Sequence, residues 1–139
     1  ALLLGKTAQA DERGVELTIT EDTSLPAGEL LLTGQEMITV LGNLIDNAMD
    51  ACDRDDPWVE VTVNQDEAGL MIRVADSGAG MDADTFDTAM QRGYSTKAGP
   101  DGAHGLGLAL VAQVVKKHHG TLAADVTYGS VVTVTVPQP

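Results

Sequence analysis

Cations are scarce in this chain. Eight Lys and Arg stand against 21 Asp and Glu in 139 residues, a formal net charge of −13. A nucleic-acid surface or an anionic membrane surface needs clustered cations, so neither is expected as a partner. Cysteine occurs once, so no internal disulfide can form, which suits a reducing compartment. Aromatic residues make up only 3% of the chain, leaving the core to aliphatic side chains. No apolar run approaches the ~20 residues of a membrane span. Ala1-Leu-Leu-Leu4 is too short for a signal peptide and has no basic leader. What is present in quantity is apolar: 43% of residues are hydrophobic, too many for a disordered acidic tail. The length suits one domain with its own core, spanning residues 1–139. The missing initiator methionine leads us to expect a longer parent protein.

The chain shows no internal repeat. Residues 15–20 (Val-Glu-Leu-Thr-Ile-Thr) alternate with period two, as a strand does. Thr33-Gly-Gln-Glu36 is a capping-box signature. The helix it opens is expected to reach about Ala51, with Met37, Leu41, Leu44, Ala48 and Ala51 as its inward stripe. Residues 58–65 and 70–76 alternate on either side of Asp66-Glu-Ala-Gly69, a β-hairpin. A short helix is predicted over 82–89, capped by Asp82, then a loop over 91–103. A second long helix is predicted from about Gly105 to His119, stopped by Gly120. Residues 121–127 and 130–136 close the chain as a hairpin turning at Tyr128-Gly129. This order predicts an α/β two-layer sandwich: a mixed, mostly antiparallel sheet of about five strands with three helices on one face.

Three local patterns carry chemistry. Asn43, Asn47 and Asp50 stand at i, i+4 and i+7, on one helical face. Asparagine is a poor helix former, because its amide competes for backbone hydrogen bonds. The face is therefore either simply solvated or a place where amide oxygens meet a hard cation or a ligand. Asp76-Ser-Gly-Ala-Gly-Met81 ends a strand, and Gly102-Ala-His-Gly-Leu-Gly107 leads into a helix. Each cluster alone reads either as an ordinary loop or as backbone able to cradle phosphate at a helix N-terminus. Gly78-Ala-Gly80-Met-Asp-Ala83 matches a relaxed dinucleotide fingerprint. No ordinary strand follows it at βαβ spacing and no acid ends one ~20 residues on, which argues against a Rossmann unit.

In combination these motifs are more specific. Asn-x-x-x-Asn on a helix, a strand ending Asp-x-Gly-x-Gly, and Gly-x-Gly opening a second helix resemble the catalytic, ATP-binding domain of sensor histidine kinases. These belong to the GHKL superfamily, shared with gyrase and a heat-shock chaperone ATPase. The resemblance runs from about Gly14 to Pro137. Gly93-Tyr-Ser-Thr-Lys97 together with Gly105-Leu-Gly-Leu-Ala-Leu110 looks most like the citrate/dicarboxylate-sensing group.

The resemblance implies the following roles. Asn47 would coordinate the Mg²⁺ that bridges the ATP phosphates, Asn43 would lie beside them, and Asp50 would face the nucleotide edge. Asp76 would accept a hydrogen bond from the adenine amino group, which suits an acceptor-only carboxylate. Gly78 and Gly80 would let backbone pass close to the base, with Met81 beside them. Gly102, Gly105, Leu106 and Gly107 would line the nucleotide from the lid and helix end, and His104 is either a phosphate contact or an ordinary loop residue. Lys97 and Arg92 would be lid cations available to the polyphosphate, and Phe86 is either a lid-packing aromatic or a core residue. The ATPase branch carries a water-activating glutamate where this chain has Asn43, which cannot act as a general base. That favours phosphoryl transfer over hydrolysis. Val131 stands where a threonine near adenine is expected, so its contact is either missing or supplied by Ser130.

No histidine here has the acceptor context of such kinases: Gly105 follows His104, and Gly120 follows the pair His118-His119. The acceptor is therefore expected on a separate dimerisation domain, upstream of residue 1. The implied partners are that domain and, through the full-length kinase, a cognate response regulator. The implied setting is the cytoplasmic part of a membrane-anchored bacterial sensor, the domain itself not touching the membrane. A non-catalytic nucleotide-binding module and an anti-sigma-type serine kinase share the fold and stay open as alternatives.

Overall fold

The computed structural model describes residues 2–20, 23, 30–52, 55–78, 102–125 and 130–139. Three helices, α1 (Leu2–Arg13), α2 (Gly34–Ala51) and α3 (Gly102–Lys117), pack with five strands, β1 (Glu16–Ile19), β2 (Trp58–Gln65), β3 (Gly69–Asp76), β4 (Thr121–Asp125) and β5 (Ser130–Pro137). The sheet order is β1-β2-β3-β5-β4. β1 runs parallel to β2, and every other pairing is antiparallel. This is the expected α/β sandwich. Its three described helices are not the expected three, however: α1 was not foreseen, and the helix proposed over 82–89 lies outside the described residues, as does the turn at 128–129.

Alternation decides which face of the sheet is covered. Val59, Val61 and Val63 of β2, Leu70, Ile72 and Val74 of β3, and Val134 and Val136 of β5 are buried under the helices. The opposite face carries Glu60, Asn64, Arg73 and Thr133, all part-exposed. The central strand β3 is paired along its whole length on both sides, from Leu70 to Asp76.

α2 begins at the predicted capping box. Thr33 Oγ1 accepts from the Glu36 amide at 3.1 Å, and Glu36 Oε1 accepts from the Thr33 amide at 2.9 Å. Its apolar stripe is wider than the predicted one. Val40, Ile45 and Met49 are buried along with Leu41, Leu44 and Ala48, while Met37 is half-buried and Ala51 is exposed. The reason is that the buried side of α2 packs on the sheet below and on α3 beside it at once.

α1 ends at Gly14, which takes the left-handed conformation (φ 74°). The Val15 amide then reaches back to the Ala10 carbonyl at 2.8 Å, and both side chains are buried, the usual seal of such a helix end. α3 ends the same way, at Lys117, two residues earlier than predicted. His119, not Gly120, is left-handed (φ 59°), and the Gly120 amide reaches the Val115 carbonyl at 2.8 Å. Gly120 has a different duty: a Cβ there would overlap the Thr135 carbonyl oxygen of β5.

His118, in the turn that follows α3, makes a specific contact. Its Nε2 lies 2.9 Å from Glu36 Oε2, and Lys117 Nζ lies 3.2 Å from the same oxygen, so the end of α3 is tied to the start of α2. The Thr33 backbone bond, then His118 and Lys117, hold the buried Glu36 carboxyl down to about 2 from an ordinary 4.5. A depressed carboxyl contributes stability that is present above about pH 4.5 and is lost as the pH falls toward 2. Glu36→Gln is expected to cost about 1–2 kcal/mol at neutral pH. It should also flatten this acid limb in denaturant unfolding; a variant as stable as wild type, with the same acid limb, contradicts the assignment.

Candidate functional site

The last inward position of β3 is not apolar. Leu70, Ile72, Val74 and Asp76 share one face, and Asp76 is only 4% exposed. A buried carboxylate continuing an aliphatic stripe is a more informative feature than any exposed one. Asp76 Oδ1 accepts from the Gly78 amide at 2.7 Å. Burial pushes its carboxyl up from 3.8 to about 6, and the Gly78 bond offsets only part of that.

Gly78 joins this strand end to α2. A Cβ at Gly78 would overlap the Ala51 carbonyl oxygen and come within 2.8 Å of Asp76 Oδ1, so only glycine lets the chain pass between the end of α2 and the carboxylate. Cys52, just beyond α2, feels the same neighbourhood: burial, followed by the charge of Asp76, pushes its thiol up. Two motifs separated in sequence therefore meet at one edge of the sandwich.

On α2, Asn43 and Asn47 are both half-buried. Asn43 Nδ2 donates to the Thr39 carbonyl at 2.7 Å, which fixes the amide and leaves its oxygen as the group it offers. Asn47 Nδ2 is buried with no hydrogen-bond partner among the described residues. Such a group is costly unless something arrives to satisfy it. An Asn amide can donate to a phosphate oxygen and offer its own oxygen to a hard cation. Among the described residues no group of three His, Cys, Asp or Glu could hold a metal by itself. The chemistry of an Asn amide, a neutral oxygen beside an unpartnered N–H, is compatible with a hard cation that is held together with a ligand. Asp50 is exposed and ion-paired with Arg13 of α1 at 2.6 Å, a partner that sequence reasoning missed because the two lie 37 residues apart.

The strand register places Val131 and Ser130 relative to Asp76. Ser130 stands directly opposite Asp76, whereas Val131 pairs with Ala75 and so belongs to the other face of the sheet. Of the two, Ser130 is the one level with Asp76. Gly102, His104, Gly105, Leu106 and Gly107 all fall in the first two turns of α3, which starts at Gly102, three residues before the predicted start. Gly80, Met81, Phe86, Arg92 and Lys97 lie outside the described residues.

Residues 33–139 match the family model described as histidine kinase-, DNA gyrase B-, and HSP90-like ATPase. The chain is 32% identical over 98% of its length to sensor histidine kinase CitA of Klebsiella pneumoniae, covering 25% of that protein. It is 36% identical over 99% of its length to sensor protein CitS of Bacillus subtilis, covering 26% of it. It thus spans about a quarter of the length of these relatives. Among solved structures, a mycobacterial sensor histidine kinase, MprB, shares the fold with a TM-score of 0.71 at 21% identity, over 98% of this chain and 91% of that one. Full-length ShkA, solved with AMPPNP, gives 0.74 at 24% identity, over 98% of this chain and 28% of that one. The chain belongs to the histidine kinase-, DNA gyrase B- and HSP90-like ATPase family. Membership of this family implies that it binds ATP.

The sign of the Asp76 shift gives a direct check. A carboxyl raised from 3.8 to about 6 binds more protons folded than unfolded between those values. Its relative stability is therefore greatest below about pH 4 and is lost as pH rises through about 6. Asp76→Asn is expected to stabilise the chain by about 1–2 kcal/mol at pH 7.5, with the gain vanishing below pH ~4. A variant less stable than wild type at neutral pH contradicts the buried-charge assignment.

Proposed function

We propose that this chain is the catalytic domain of a two-component sensor histidine kinase, binding Mg·ATP and presenting its γ-phosphoryl group to a histidine on a separate dimerisation domain. The observation that carries this reading is the approach, through Gly78 and Ala51, of a buried acceptor at the end of β3 to the end of α2, the helix that carries the unpartnered amide nitrogen of Asn47. Asp76 accepts from the exocyclic amino group of adenine, with Ser130 at the same height on the neighbouring strand. Asn47 holds Mg²⁺ and Asn43 lies beside the phosphates; the metal supplies charge neutralisation that an acidic chain does not. The glycine-rich start of α3 offers backbone amides to the polyphosphate. Lys97 and Arg92 are proposed to add cationic contacts.

Asn43 carries no proton-accepting group of useful basicity, so activation of water is not provided for at that position. What remains is positioning and charge stabilisation, which is the bulk of phosphoryl-transfer catalysis. The acceptor histidine belongs to the parent kinase's dimerisation helices, as the histidines here lack the acceptor context. The domain works on the cytoplasmic side of a membrane-anchored sensor, and a response regulator receives the phosphoryl group from the full-length kinase.

Asn47→Ala is expected to weaken Mg·ATP binding at least about tenfold, the scale of one lost charge-assisted contact. Addition of EDTA should do the same to the wild-type chain, with calorimetry as the readout. Labelled ATP with the parent's dimerisation domain should phosphorylate a histidine there. Binding without transfer would leave a nucleotide-binding module, and unchanged autophosphorylation by Asn47→Ala would remove the metal-ligand role.

A further inference from the structure

The polar face of α2 is a stripe of four side chains, Asn43, Asp46, Asn47 and Asp50, at i, i+3, i+4 and i+7. Two are amides and two are carboxylates. α1 pairs with both carboxylates: Lys6 Nζ lies 2.7 Å from Asp46 Oδ1, and Arg13 Nη2 lies 2.6 Å from Asp50 Oδ1. The amides are left for something else, since Asn43 bonds within its own helix and the Asn47 nitrogen has no partner among the described residues. α1 is firmly seated, with Ala10 fully buried and the side chain of Lys6 only 13% exposed. Gly42 lies on the same side of α2, where a Cβ would meet only the Lys6 stem, at 3.9 Å. Both cations lie outside residues 33–139, the part matched to the family.

As contributions to folding, two such pairs at a surface are worth little. Their charge matters more. One carboxylate immediately precedes Asn47 and the other follows it by about one turn, so an unpaired Asp46 or Asp50 would repel an incoming polyphosphate. The chain already carries −13 and has few cations to spend elsewhere.

We propose that Lys6 and Arg13 are positioning residues for the nucleotide: by pairing with Asp46 and Asp50 they cancel the two negative charges flanking Asn47. Affinity for a metal-bound nucleotide therefore depends on α1 being seated on α2. This rests on the nucleotide-binding reading given above. It extends the working site to a helix outside the matched domain.

The test is calorimetric titration of Mg·ADP into the purified chain at low and high KCl. With Lys6→Gln/Arg13→Gln, affinity is expected to fall about tenfold relative to wild type at ~20 mM salt, where charges interact over ~20 Å. The ratio should shrink to within about twofold at ~0.5 M, where screening is nearly complete. Lys6→Asp alone should weaken binding at low salt, and adding Asp46→Lys should restore it. A loss that persists at high salt, or is not rescued by the charge swap, makes α1 a purely structural brace and overturns the proposal, as does no loss at all. If the wild-type chain fails to bind Mg·ADP at any salt, the nucleotide reading itself fails and takes this inference with it.

Discussion

The arrangement depends on β3, a strand paired on both sides whose alternate side chains are all buried, the last being a carboxylate. Aliphatic residues at Leu70, Ile72 and Val74 fix which face of the strand lies under the helices. Period-two geometry then leaves Asp76 no choice but to follow them inward. A register slip of one residue would expose the aliphatic side chains and the acid together. The hydrophobic core thereby sets the position of the polar group, and the cost of burying that charge is carried by the packing of the whole sheet.

The same logic explains α2. Its buried stripe faces both β3 and α3, and the capping box and the Glu36–His118 link hold its start against the end of α3. With one face committed to the core and one end pinned, Asn43 and Asn47 are left on the flank of the helix whose last carbonyl Gly78 passes. α1 then lies along that flank and engages its acids. Core packing, capping and charge pairing together determine which polar groups stay available to a ligand.

Much of this was legible in the sequence. The capping box at Thr33 and Glu36, the hairpin around Asp66–Gly69 and the asparagine spacing are local patterns, written within a turn of helix or a few residues of strand. What escaped was non-local. Glu36 and His118 are 82 residues apart, and Lys6 and Asp46 are 40 apart, so no periodicity announces either pair. α1 was missed because Gly5 and the run from Lys6 to Arg13 carry hardly any apolar stripe; among its described side chains Ala10 is buried and Lys6 and Arg13 form ion pairs with α2. Ser130 and Val131 were separable only once the register with β3 was known.

The account turns on Asp76 reading an adenine amino group. Comparing ATP with GTP in the presence of Mg²⁺ tests it most directly, because the two share their phosphates and differ at that edge of the base. A carboxylate that accepts from an amino donor is met in GTP by a carbonyl acceptor instead. The account predicts ATP binding at least about a hundredfold tighter, the scale expected when a buried acceptor is left unpaired. Equal affinity for the two nucleotides would contradict it.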